Sequence, residues 1–224
     1  MIPFQYPTLK HKRTLSPPKF KHPRSYKRYL QTEFARLCVY CRQPDSSAPN
    51  LNFGVDHYKP KDKFGSLRCI YENLFYCCGS CNSRKSNYWP LDSKQGPYVL
   101  NPCDHEMAAH IRFDAESGRM ESRTLHGSHT EDFLQLNEPA SVQFRLGTLH
   151  TLKLLEAAIA ESERELSILR NAILDGAISQ TDFMRERNMV EADLFKSRHM
   201  QRCLSGTLPL AALPTKQHAA ALVA

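Results

Sequence analysis

Long apolar runs are missing from this 224-residue chain. No segment approaches the roughly 20 consecutive apolar residues that a bilayer-spanning helix needs, so no membrane span is expected. The opening stretch, MIPFQYPTLKHKRTL, lacks the apolar core of a secretory signal, and an intracellular, cytoplasmic location is the expectation. Acidic residues are absent from Lys10 through Arg28, a span that carries eight Lys and Arg. No internal repeat is found, which excludes solenoids and propellers.

The absence of acid at the front is part of a wider asymmetry. Residues 1–100 hold 17 Lys/Arg against 6 Asp/Glu, and residues 101–224 hold 13 against 17. A basic front half suits a polyanion such as nucleic acid, though a solvated basic face explains charge alone equally well. Residues 1–24, rich in proline and basic side chains, read as an extended arm whose charge suits phosphates. Such contacts reach the backbone rather than the bases, so salt-sensitive, sequence-tolerant binding is expected.

Eight cysteines are present. An intracellular chain of this length needs no disulfide staples, so cysteines at ligand spacing point to metal. CVYC at 38–41 and CGSC at 78–81 are two C-x-x-C pairs separated by 36 residues. Two such knuckles complete a tetrahedral four-thiolate zinc site from Cys38, Cys41, Cys78 and Cys81. Cys77 clouds the register, but only Cys78 gives the two-residue gap to Cys81. Cys69, Cys103 and Cys203 lack partners and read as buried thiols.

Local patterns give a coarse map. Ser25 is a candidate cap for a short helix, YKRYLQTEFARL, with Tyr29, Leu30, Phe34 and Leu37 on its apolar face. LNFGVDH and CIYENLFYC read as strands and SCNSRKSN as a short helix. YVLNP is a further candidate strand, and HIRF and RMESRT another pair joined by a turn at DAESG with Gly118 in place. From Ser141 to Asp175, Leu152, Leu155, Ile159, Leu166, Leu169 and Ile173 recur in a heptad rhythm, interrupted by Ser162 and closed by Gly176. Ser179 with Asp182 resembles a capping box, and a second helix is expected to about Leu204. The expected class is α+β. Its divisions are a basic arm at 1–24, a cysteine-knuckle region at 25–135 with its core at 38–89 and an extension beyond it, an antiparallel helical hairpin at 136–206 and a loose tail at 207–224.

Between and beyond the knuckles lie Asp56-His57, Asn73 and Asn82, the last directly after Cys81. The order C-x-x-C, Asp-His, Asn-Leu, C-x-x-C-Asn-x-x-Lys resembles the HNH endonucleases, in the branch whose ββα-metal module is stapled by zinc. The likeness covers about residues 38–89, and it departs at Asn82, where many members carry histidine and others carry asparagine. The resemblance implies DNA phosphodiester hydrolysis. His57 is implied as the general base, Asp56 and Asn82 as ligands of one divalent cation (Mg2+ or Mn2+), and Asn73 as the residue that holds the His loop in shape. The chemistry is self-consistent: a neutral imidazole is a suitable base near pH 7, and hard oxygen ligands suit a cation that faces phosphate.

Lys59, Lys61, Lys63, Arg68, Arg84 and Lys85 surround this motif. Each is as readily a solvated surface charge as a phosphate contact; Lys59, Arg84 and Lys85 are the candidates for substrate. Tyr58 and Trp89 are expected to pack around the zinc. His105, His110, His126 and His129 have no part in the implied reaction. The later segments VLNPCDHEMAAHIRFDAESGRM and LQLN are similar to bacterial HNH proteins encoded with ATPases in anti-phage defence systems. That likeness implies a nuclease effector directed by a partner subunit. A homodimer through the C-terminal helices and a non-catalytic zinc-stapled nucleic-acid-binding module stay open beside it.

Overall fold

A computed structural model describes residues 3–47, 52–91, 96–210 and 212–213. Pro23 opens a 3-10 turn, Pro23–Tyr26, that runs straight into α1, Lys27–Glu33. Ser25 makes no side-chain cap there; proline, with its preset φ, starts the helix instead. The helix also stops earlier than its apolar pattern suggests, because Ala35 and Arg36 adopt left-handed φ of 50° and 63°. That reversal turns the chain toward the first knuckle.

β1, Phe53–His57, pairs antiparallel with β2, Leu74–Cys78, with Asp56 opposite Phe75 and His57 opposite Leu74. The expected second strand begins only at Leu74, since Tyr71–Asn73 forms a 3-10 turn closed by Asn73 N–H donating to the Ile70 carbonyl. α2, Gly79–Lys85, follows β2 without a linker, so strand, strand and helix form one ββα unit. Its core is aromatic. Phe34, Tyr58, Phe75 and Tyr76 are buried, with Phe34 stacked on Phe75 at 5.6 Å and Phe53 on Tyr76 at 5.0 Å.

Residues 97–101 are not a strand. Side chains satisfy their backbone instead: Tyr58 OH donates to the Val99 carbonyl at 2.7 Å, and Leu100 N–H donates to Thr130 Oγ1 at 2.9 Å. Beyond them come α3, Met107–His110, and a small hairpin of β3, Ile111–Phe113, with β4, Met120–Ser122. Gly118 turns this hairpin at φ +69°, where an added Cβ would sit 2.7 Å from Leu146 Cγ. α4, Leu125–Phe133, is capped by Thr124 Oγ1 accepting from Gly127 N–H at 3.1 Å. Gly127 is dictated by close approach, since any Cβ there would collide with the His110 carbonyl oxygen.

α5, Pro139–Leu174, is 36 residues, about 54 Å at 1.5 Å per residue. Leu152 and Leu166 are buried and Leu155, Ile159, Leu169 and Ile173 half-buried, so the heptad stripe is the face along which α6, Gln180–Ser205, packs. The Ser179 hydroxyl accepts from Asp182 N–H at 3.1 Å and caps α6. The two long helices form the expected antiparallel hairpin, and no described helix is long and apolar enough to cross a membrane. Of the expected loose tail, Leu213 rests on the core, while 211 and 214–224 lie outside the described residues.

The N-terminal arm differs from expectation. It lacks regular structure, but Phe4, Tyr6 and Phe20 are buried in the core. Arg13 lies over the rings of Phe34, Tyr71 and Phe75 at 4.7, 5.0 and 4.7 Å, and donates to the Leu74 carbonyl at 2.7 Å. A guanidinium so placed gains cation–π attraction as well as a hydrogen bond. Lys10, Lys12, Lys19, Lys21, Arg24, Lys27 and Arg28 remain exposed. The arm is thus a strap whose aromatics face in and whose cations face out.

Candidate active site

The Sγ atoms of Cys38, Cys41, Cys78 and Cys81 all lie within 4.8 Å of one another, with Cys41 and Cys78 at 3.7 Å. Tetrahedral zinc with bonds of about 2.3 Å holds its sulfurs about 3.8 Å apart, so the cluster fits that ion. Cys77 takes no part: its Sγ turns to the Cys78 carbonyl at 3.2 Å, and burial pushes its thiol up. Hydrogen bonds from Cys38, Cys41, Cys77 and Cys81 hold the Cys78 thiol well below its ordinary value, which favours a thiolate. Tyr6 lies close to these cysteines, and its hydroxyl donates to the Tyr40 carbonyl. Burial, then the neighbouring Cys41, Cys81 and Cys38, raises its pKa. Tyr58 and Trp89, expected at the knuckles, pack instead with Phe75 and Phe64 beside the His57 loop.

Asp56 and His57 face different surroundings, as alternation along a strand requires. Asp56 is 2% exposed. Its Oδ2 accepts from Tyr40 OH at 2.7 Å, and its Oδ1 lies 3.1 Å from Lys85 Nζ. Lys85, 1% exposed, also donates to the His57 carbonyl at 2.8 Å. The expected phosphate contact of Lys85 does not match this placement, because the ammonium is turned inward. Sequence spacing carried a signal for it: Lys85 is four residues from the inward Cys81, hence on the same helical face.

His57 is half-buried, with Nε2 3.0 Å from the Arg68 carbonyl oxygen. A carbonyl only accepts, so Nε2 carries the proton and Nδ1 keeps the lone pair. Burial lowers the His57 pKa, against the opposing pull of the Arg68 carbonyl and Asp56, which favours the neutral ring. Asn73 spans the loop beyond it. Its Oδ1 accepts from Lys59 N–H at 2.8 Å, and its Nδ2 donates to the carbonyls of Lys59 at 3.0 Å and Leu67 at 3.3 Å.

Asn82 lies over Gly54, where an added Cβ would come 3.8 Å from its Nδ2. Its side-chain amide makes no hydrogen bond among the described residues, so its oxygen is open to a ligand. Asn82 and Lys85, three apart on α2, sit above Gly54 and Asp56, two apart on β1. The carboxylate and the amide oxygen make a hard donor set suited to Mg2+ or Mn2+. An ammonium already neutralises the carboxylate, which is the charge such a set calls for.

Of the remaining cations, Lys61, Lys63 and Arg68 are exposed and Lys59 is half-buried, 5.5 Å over the Trp89 ring. Arg84 is not free for substrate: it donates to the Leu134 carbonyl at 3.0 Å and the Gln135 carbonyl at 3.3 Å, and pairs with Glu138. Cys69, Cys103 and Cys203 are half-buried rather than buried.

Residues 38–88 match the family model described as HNH endonuclease, the segment that holds both knuckles, the ββα unit and every residue from Asp56 to Lys85. More particularly, the chain is 31% identical over 102 residues to the Septu protein PtuB of Bacillus thuringiensis. That match takes in 45% of this chain and 37% of the relative, so the chain spans little more than a third of the curated relative it matches. No solved structure matches the chain significantly.

Proposed function

We propose that the chain is a cation-dependent HNH endonuclease that hydrolyses DNA phosphodiester bonds in the cytoplasm as the effector of a bacterial anti-phage defence system. The observation that carries this reading is His57, in the segment matching the family, with Nε2 on the Arg68 carbonyl and no partner for Nδ1 among the described residues. Nδ1 takes a proton from the attacking water, and the Arg68 carbonyl on Nε2 keeps the ring oriented and stabilises the imidazolium that forms. Asn73 holds the loop so that the ring does not drift during the step. Asp56 and Asn82 are the residues that would hold Mg2+ or Mn2+, which when bound offsets charge on the phosphate and the leaving oxygen. Lys59, Lys61, Lys63 and Arg68 draw the DNA backbone toward the loop. The exposed cations of the arm add salt-dependent affinity.

The chain acts with a partner subunit such as an ATPase, or as a dimer through the long hairpin, where Ile168 and Phe195 are 59% and 72% exposed. The test is plasmid cleavage with Mg2+ or Mn2+ against EDTA, on the parent and His57→Ala. The parent nicks and the variant does not, while both bind DNA with similar affinity. A second reading, a zinc-stapled nucleic-acid-binding module, draws support from the closed Asp56–Lys85 pair. A parent that binds DNA and does not cleave it with either metal favours it, whereas equal cleavage by parent and variant refutes His57 as the base.

A further inference from the structure

We propose that the Lys85 ammonium is a built-in placeholder for the catalytic cation, so that loading the ion and freeing the lysine are a single exchange. This inference rests on the nuclease reading and deepens it. Lys85 is buried on the inner face of α2 with two oxygen partners, Asp56 Oδ1 at 3.1 Å and the His57 carbonyl at 2.8 Å. A lysine is seldom so enclosed unless paired. The other carboxylate oxygen is taken by Tyr40, so Oδ1 is where an entering cation meets the ammonium. One turn earlier, the unpartnered Asn82 amide lies over Gly54, whose missing Cβ keeps that side of the strand open.

At the one carboxylate oxygen that Tyr40 leaves, two cations compete for the same lone pairs and repel each other across a weakly screened gap. When the divalent ion takes Oδ1, Nζ gives it up. Four rotatable bonds let the ammonium swing out while α2 stays fixed by Cys81 and Arg84. The charge that neutralised Asp56 then becomes available to the phosphate. Before loading, the same lysine keeps an isolated carboxylate from facing the interior unpaired.

The test uses the full-length, zinc-loaded chain without DNA. Isothermal titration with Mn2+ compares the parent with Lys85→Met and Lys85→Gln. Removing the competitor tightens Mn2+ binding roughly tenfold or more in a folded variant. In the parent, Lys85 is protected from amine acetylation and becomes labelled when Mg2+ or Mn2+ is added, as read by mass spectrometry of its peptide. This second measurement needs no variant and holds even if both substitutions unfold the chain. Unchanged or weaker Mn2+ binding in the variants, or a Lys85 that stays protected in the metal-loaded parent, overturns the exchange. Cleavage is read separately. A chain that shows the exchange and never cuts refutes the nuclease reading alone, and one that cuts without it refutes the exchange alone.

Discussion

Glu33→Gln isolates what holds the N-terminal strap in place. The Glu33 side chain is wholly buried, and its two oxygens divide the work. Oε1 accepts from Thr14 N–H at 2.8 Å and Thr14 Oγ1 at 2.9 Å, while Oε2 accepts from Leu15 N–H and Tyr71 OH, both at 3.1 Å. Glutamine keeps one oxygen but turns the other into an NH2 that faces two donors. Leaving a buried donor unsatisfied costs about 1–3 kcal/mol, so two of them cost about 2–6 kcal/mol in all, part of it relieved if Tyr71 turns away. Urea denaturation reads that loss, and trypsin reads its location through faster cleavage at Lys10, Lys12 and Arg13. The pH dependence gives a second check. Burial would raise the Glu33 pKa, but hydrogen bonds from Thr14, Leu15 and Tyr71 outweigh it, and the folded value lies below the ordinary one. A depressed carboxyl stabilises the fold fully above its unfolded pKa of about 4.3, and the contribution fades as pH falls through the folded value. The parent therefore loses strap attachment as pH falls below the ordinary glutamate value, whereas the variant has no carboxyl here to titrate. A variant as stable as the parent, with the same trypsin pattern at pH 7, refutes the argument that Glu33 is the pin.

Three further outcomes are expected. Cys81→Ser lowers bound zinc from one ion per chain by elemental analysis, and it broadens the thermal transition, because a three-thiolate site binds the ion more weakly. Gly127→Ala loses about 3 kcal/mol or more in chemical denaturation, since its Cβ forces α4 away from the His110 carbonyl; a change under about 1 kcal/mol contradicts that contact. Cleavage rate against pH is flat at neutrality and falls only on the acid side of 6.5, the ordinary His57 value, because a base with a depressed pKa stays neutral further into acid. An acid limb centred above 6.5 contradicts burial as the dominant influence on that ring.

The parts legible in the sequence are those whose cause is local. The two C-x-x-C pairs specify a cluster because a two-residue gap alone lets both sulfurs turn to one point. The heptad leucines of α5, the cap at Ser179 and the turn at Gly118 likewise depend on neighbours within a few residues. What was not legible depends on distant parts of the chain meeting. Tyr40 lies inside the first knuckle, yet its hydroxyl goes to Asp56, 16 residues on. Arg84 reads as a phosphate contact, but it is spent on the junction of α4 and α5 some 50 residues away. The strap misled for another reason: its charges dominate the composition, while Phe4, Tyr6 and Phe20, fewer in number, decide where it lies. YVLNP has strand composition, but Thr130 and Tyr58 claim its backbone first.

The Arg84 grip has a mechanical consequence. It fastens the helix bearing Asn82 to the foot of a rod about 54 Å long, two residues from that asparagine. A small tilt of the rod at its root is therefore delivered directly to the floor of the candidate site. Whatever leans on the far tip works through a long lever arm, and the force needed there is correspondingly small.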